Sequence, residues 1–129
     1  MEKWEIAVEN HGKGYNCVQS VICAFADELG YSEDVLFGIS EAFGGGMGGS
    51  RSICGVVSAM VMAAGAVKSF GLEKLPETNK KESYTLAREL MDKFEKEVGS
   101  IMCCDIKGNK LRTCDECIEI ATKILDQIL

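Results

Sequence analysis

The sequence predicts an all-α protein, a small bundle of about five to six helices around a buried central helix. Three observations carry this. Proline occurs once, at Pro76. Apolar residues recur at three- and four-residue spacings along most of the chain, the period of a helix face. Residues 53–67 pass without a charge, between segments that are amphipathic and must each bury one face. At 129 residues the chain reads as one cysteine-rich domain, 1–129, able to bury a core without disulfide staples.

Each element follows from local chemistry. A first helix over residues 2–9 has Trp4 and Ile6 as anchors and ends before the HGKGY turn, where His11 is read as solvated. Asn16 caps the next helix, placing Cys17 first and Val18, Val21, Ile22, Phe25 and Leu29 on one face until Gly30 closes it. Cys23 falls off that stripe and reads as a small packing residue. Ser32 caps a third helix, with Glu33 and Asp34 in its first turn, running through Val35, Leu36, Ile39 and Phe43.

A glycine-rich turn then opens into the central helix. Five of the six residues 44–49 are glycine, which permits positive φ and close backbone approach. Ser50 or Ser52 is the expected N-cap, putting Cys54 in the first turn, where free N–H groups and the helix dipole favour a thiolate. With Arg51 nearby, Cys54 is the expected most reactive free thiol. Residues 68–81 read as a charged loop, and residues 82–98 as an amphipathic helix on Ala87, Leu90, Met91, Phe94 and Val98, stopped by Gly99. Residues 100–112, with adjacent Cys103 and Cys104, show no helical period and read as a loop. The last helix opens on a capping box from Thr113 to Glu116, with Cys114 first and Cys117 on the apolar stripe as a core residue.

Composition excludes several functions. A net charge of −6 without a basic cluster argues against nucleic acid or an anionic membrane surface. The uncharged run 53–67 would span about 22 Å as a helix, short of a hydrocarbon core of about 30 Å, so no membrane insertion is expected. MEKWEIAVEN carries charges where a signal peptide needs an apolar core, so a reducing cytoplasm is the expected location. Seven cysteines, an odd number, argue against a fully paired disulfide framework and for metal ligation or redox chemistry. No motif names a redox partner, and assembly as a homodimer stays open.

Three helix starts carry a cysteine, at 17, 54 and 114, and a fourth thiol comes from the 103/104 segment. If those ends converge, four thiols meet. A helix dipole contributes about 0.3–1 kcal/mol, under one pKa unit, so full ionisation of several thiols would need a bound metal or iron-sulfur cluster. Rival motifs are weaker. Cys114 and Cys117 form a CxxC like a thioredoxin redox pair, but no βαβ unit surrounds it. Ile118 stands where a covalent haem would need histidine. The glycine run satisfies GxGxxG but follows a helix and not a strand, and it lacks the Lys-Ser/Thr end of a phosphate loop. Gly45, Gly46, Gly48 and Gly49 are instead the candidate backbone for holding sulfur or a small ligand. The alternative readings are a non-catalytic helical module with structural cysteines, or thioredoxin-like disulfide exchange at the Cys114/Cys117 pair.

The runs GYNCVQSVICAFADELG, FGGGMGGSRSICGVVSAM, GSIMCCDI and TCDECIEIATKIL, in that order, resemble the C-GCAxxG-C-C family, regarded as redox-active. The likeness covers about residues 14–125. It implies a small helical cytoplasmic protein with redox or metal-cluster function, and leaves open whether it is an oxidoreductase. Carried over, the family's four cysteines fall on Cys17, Cys54, Cys103 and Cys114, as redox thiols or as ligands of an iron-sulfur cluster or other metal. Cys23, Cys104 and Cys117 then have no counterpart. Within the central motif, Val56 and Ala59 stand where the family has alanine and glycine.

Overall fold

Capping side chains set where four of the helices begin. In the computed structural model, which describes Met1–Leu129, Glu2 and Glu5 form a capping box at the start of α1 (Lys3–Gly12). Asn16 accepts from the Gln19 N–H at 3.0 Å and starts α2 (Cys17–Ala24). The chain leaves helical geometry at the fully buried Phe25 (φ −108°, ψ 19°), resumes in α3 (Ala26–Leu29), and stops at Gly30 with φ +79°. The single helix expected from Asn16 to Gly30 is therefore two. Ser32 accepts from the Val35 N–H and opens α4 (Glu33–Ser40), followed by a 3-10 turn, Glu41–Phe43.

Beyond the glycine turn come α5 (Gly55–Lys68), α6 (Lys80–Val98), α7 (Cys103–Gly108) and α8 (Cys114–Asp126). Gly99, at φ +106°, ends α6 as expected, and the Thr113/Glu116 box starts α8. The all-helical bundle is what the chain forms, with eight α-helices in place of five or six because α3 and α7 are too short to show a period. No helix is long and apolar enough to cross a membrane.

Two helices fill the interior. Every residue of α2 from Val18 to Ala24 is buried, and α5 is buried from Gly55 to Met60 and at Ala63 and Ala64. Farther along α5, Val61 and Val67 reach solvent. Leu90, Phe94 and Val98 of α6 and Ile118, Ala121 and Leu125 of α8 close the same core, each large side chain contributing about 1.5–3 kcal/mol by burial. On α4 the expected stripe is corrected. Leu36 is buried, but Val35 and Ile39 are exposed, and Phe37 turns inward to meet Tyr15 edge-on at 4.9 Å.

Residues 100–112 also depart from the expected loop. Ser100 accepts from the Met102 N–H at 3.0 Å and reaches Asp105, which nucleates α7, while Ile106 is buried in the core. Just before it, Met102 forms an isolated antiparallel bridge with Ile53. That bridge joins the end of the glycine turn to the start of α7, so two segments distant in sequence run side by side.

Candidate functional site: a cavity lined by five thiols

Four helices present their first residue, or the residue just before it, to one cavity of about 430 Å³. Cys17 opens α2, Cys54 is the N-cap of α5, Cys103 opens α7 and Cys114 opens α8. All four line the cavity, together with Cys117 from one turn further along α8. The fourth thiol was expected from a loop, and it too sits at a helix start. Cys54 takes the cap position that Ser50 or Ser52 was expected to hold, since Ser50 Oγ is turned back to the Gly46 and Met47 carbonyls at 3.0 and 2.7 Å.

Backbone pairing holds the parts in register. The Cys54 N–H donates to the Ile101 carbonyl at 2.8 Å, and the Cys103 N–H donates to the Ser52 carbonyl at 2.7 Å. Across the cavity Asn16 caps α2 and donates to the Glu41 carbonyl at 2.9 Å, which fixes the helix start that carries Cys17. Two glycines let the sulfurs in. A Cβ on Gly55 would lie 2.5 Å from Cys17 Sγ, and one on Gly46 would lie 2.7 Å from Cys103 Cβ and 2.6 Å from Arg51 Cα. Gly46 also holds φ +74°, a value side chains rarely adopt. Gly45 and Gly46 are on the cavity wall, whereas Gly48 and Gly49 shape the turn without lining it.

The thiols sense one another. Burial, and then the neighbouring Cys54, push Cys17 up, opposed by the Gly45 N–H. Cys103 is pushed up by burial and by Cys54, opposed by Lys107 and Arg51. Cys54 is pushed up by the neighbouring Cys117 thiol and by burial, against the N–H groups of Val56 and Val57, while Cys54 in turn pulls Cys117 down. Burial and the neighbouring thiol therefore work against the thiolate that the helix start was expected to favour at Cys54. Its helix start supplies the favourable N–H groups, but without a closed capping hydrogen bond, and burial beside a second thiol outweighs them.

Cations gather on the same wall of an otherwise acidic protein. Lys107, Lys110 and Arg112 line it, and Lys107 is pushed up chiefly by its contact with Cys114. Cys117 is the residue that sequence reasoning set aside. Its signal was the CxxC itself, since positions three apart on a helix share a face. The other two cysteines lie elsewhere. Cys23 is buried with Sγ 3.8 Å from the Glu33 carbonyl and is pushed up to about 11 by burial, and Cys104 is exposed. His11 is in the last turn of α1 and not in a solvated turn, with Nδ1 2.7 Å from Asp115 Oδ1 at the start of α8.

A sequence model for a protein family described as "Putative redox-active protein (C_GCAxxG_C_C)" matches residues 15–128. No match was found among curated proteins or among solved structures.

Proposed function

The chain belongs to this C_GCAxxG_C_C family, and on that premise we propose a redox protein whose Cys17, Cys54, Cys103 and Cys114 hold an iron-sulfur cluster as thiolates. The observation that carries the reading is the delivery of four thiols by four separate helix starts to one cavity. Such clusters are held by four cysteine thiolates, and when bound they supply electron transfer. A single ion suits the site less well, because no three Cys, His, Asp or Glu side chains converge closely enough to hold one metal ion. A cluster would draw its four thiolates from around a cavity and not to one point, which is how these four thiols are set.

The chain's own groups have definite roles in this reading. Cys17, Cys54 and Cys103 are raised and stay protonated near neutral pH, so ligation would release protons. The Gly45 N–H favours negative sulfur at Cys17, and the N–H groups of Val56 and Val57 do so at Cys54. Lys107 and Arg51 favour it at Cys103. Ile106 and Leu111 on the wall keep water away from the sulfurs. A reducing compartment suits seven free thiols.

Anaerobic incubation of reduced protein with ferrous iron and sulfide tests the reading. The expected product is coloured, with stoichiometric iron and sulfide. Single Cys→Ser variants at 17, 54, 103 and 114 should each lose most of the iron, and those at 23 and 104 should keep it. Wild-type protein that stays colourless and iron-free would overturn the reading. One observation favours a dithiol mechanism instead. Cys114 is half-exposed at the start of α8 against Lys107, with Cys117 buried one turn below, the placement of an attacking and a resolving thiol. Iron-free protein in which Cys114 is alkylated first would support that mechanism.

A further inference from the structure

Four cations stand at or beside the cavity, and the cluster reading leaves two of them without a role. Lys107 and Arg51 favour negative sulfur at Cys103. Lys110 and Arg112, on the same wall, pair with no carboxylate, since the ion pairs of the fold are Lys3 with Glu28, His11 with Asp115, Lys13 with Glu9 and Lys123 with Glu119. We propose that Lys110 and Arg112 hold the oxyanion group, carboxylate or phosphate, of a small organic ligand whose other end reaches the cavity thiols. The site rests on the proposed function only in taking those thiols as the reacting groups, and it needs no cluster to be present.

The segment joining α7 to α8 fixes both side chains in place. The Leu111 N–H donates to the Ile106 carbonyl at 2.9 Å, and the two Nη atoms of Arg112 donate to the Leu111 and Glu97 carbonyls at 2.8 and 3.1 Å. Those bonds hold the guanidinium on the wall but leave its charge unneutralised and its other donors free. Lys110 is held at φ +51°, in the left-handed region that a lysine seldom occupies, although glycine and asparagine stand just before it at 108 and 109. Such a backbone persists where its surroundings enforce it, and residues of this kind gather at ligand sites.

The cavity suits such a ligand in size and in sign. Its volume of about 430 Å³ falls within the range of small-molecule pockets, about 300–1,000 Å³. Three cations line it against one carboxylate, Glu116, which accepts from the Thr113 N–H at 2.9 Å, and this in a chain of net charge −6. A cleft lined by one sign of charge focuses the field and concentrates small ions of the other sign. Ile106 and Leu111 offer apolar surface to the carbon part of the ligand, with the thiols on the same cavity.

The test titrates the full chain, reduced and metal-free at low ionic strength, with succinate and separately with inorganic phosphate, followed by calorimetry. The expected result is saturable binding of one molecule of at least one of them, succinate marking a carboxylate ligand and phosphate a phosphorylated one. Lys110→Gln should weaken that binding about tenfold or more, whereas Lys81→Gln, on α6, should leave it unchanged. Arg112→Gln should match Lys110→Gln, with circular dichroism to check the fold of each variant. Saturating anion should also slow alkylation of Cys114 by iodoacetamide several-fold and spare the exposed Cys104, which lies outside the cavity. Binding of neither anion, equal binding by wild type and Lys110→Gln, or unchanged alkylation of Cys114 with anion bound would overturn the proposal. Protein that binds the anion but takes up no iron with sulfide would sink the cluster reading alone, and protein that loads iron but binds no anion would sink this site alone.

Discussion

Replacing Gly55 by alanine places a methyl group 2.5 Å from Cys17 Sγ, with the Phe43 carbonyl and the Val18 nitrogen each 3.5 Å away. Non-bonded atoms rest at roughly 3.5–4.0 Å, so the sulfur must move by about 1 Å or more. It can turn about a single torsion, which takes it away from its present place, or α2 and α5 can separate. Overpacking of this kind costs about 1–3 kcal/mol, while alanine returns at most about 1 kcal/mol of helix propensity and less at a first position. The net loss is about 1–2 kcal/mol, or about 4–8 °C in Tm for a chain of this size. Gly65 supplies the control, because it lies in the same helix and a Cβ there meets nothing within 4 Å. Gly65→Ala should gain up to about 1 kcal/mol, so the same substitution ten residues along one helix changes sign because of one sulfur. Thermal unfolding followed by circular dichroism reads both variants, and peptide-resolved alkylation should show Cys17 reacting faster in Gly55→Ala. If both variants raised Tm alike, the placement of Cys17 against α5 would be refuted.

Gly46→Ala should cost more, about 3 kcal/mol or above, because positive φ and a clash with the Arg51 backbone leave nothing free to yield; urea unfolding measures it. Thr113→Ala removes the acceptor for the Glu116 N–H and should cost about 1 kcal/mol in the same assay. Stability under reducing conditions should fall as pH rises past the unfolded thiol value of about 8.5. Cys17, Cys23, Cys54 and Cys103 are all raised on folding, so their contribution is complete below that pH and is lost as pH rises towards their folded values, about 11 for Cys23. Cys117, pulled down, works in the opposite sense. Urea midpoints that stay level from pH 8 to 11 would contradict the burial assigned to these thiols, a range set by the same reference values.

Much of this arrangement was legible in the residues themselves. Asn16, Ser32, Thr113, Gly30 and Gly99 act through local hydrogen bonds or backbone conformation, so they mark helix ends without reference to the rest of the fold. The amphipathic stripes of α6 and α8 were visible because those helices are long enough to repeat. What stayed hidden depends on partners distant in sequence. The turn from Ser100 into α7 is set by Ile106 entering the core and by Met102 pairing with Ile53, neither of which has a local signature. Val35 and Ile39 look like core residues by composition, and only the packing of Phe37 on Tyr15 shows which face of α4 turns inward. Cys117 stands between the two kinds: its spacing from Cys114 puts both on one face of α8, while its neighbour Cys54 belongs to another helix.

The bridge between Ile53 and Met102 also means that the site cannot be completed until late in synthesis. As the chain grows, Cys17 and Cys54 are made well before the segment that carries Cys103 and Cys114. During that interval the backbone of residues 51, 52 and 54 lacks its partners at 101, 103 and 104, and a stretch holding four glycines at positive φ has nothing outside itself to organise it. Cys54 is then an unsheltered thiol on a mobile chain, open to pairing with whatever sulfur is nearest. The site is completed late, by the last quarter of the sequence closing over the first half, and a nascent chain stalled before residue 101 would carry the early thiols without the walls that bury them.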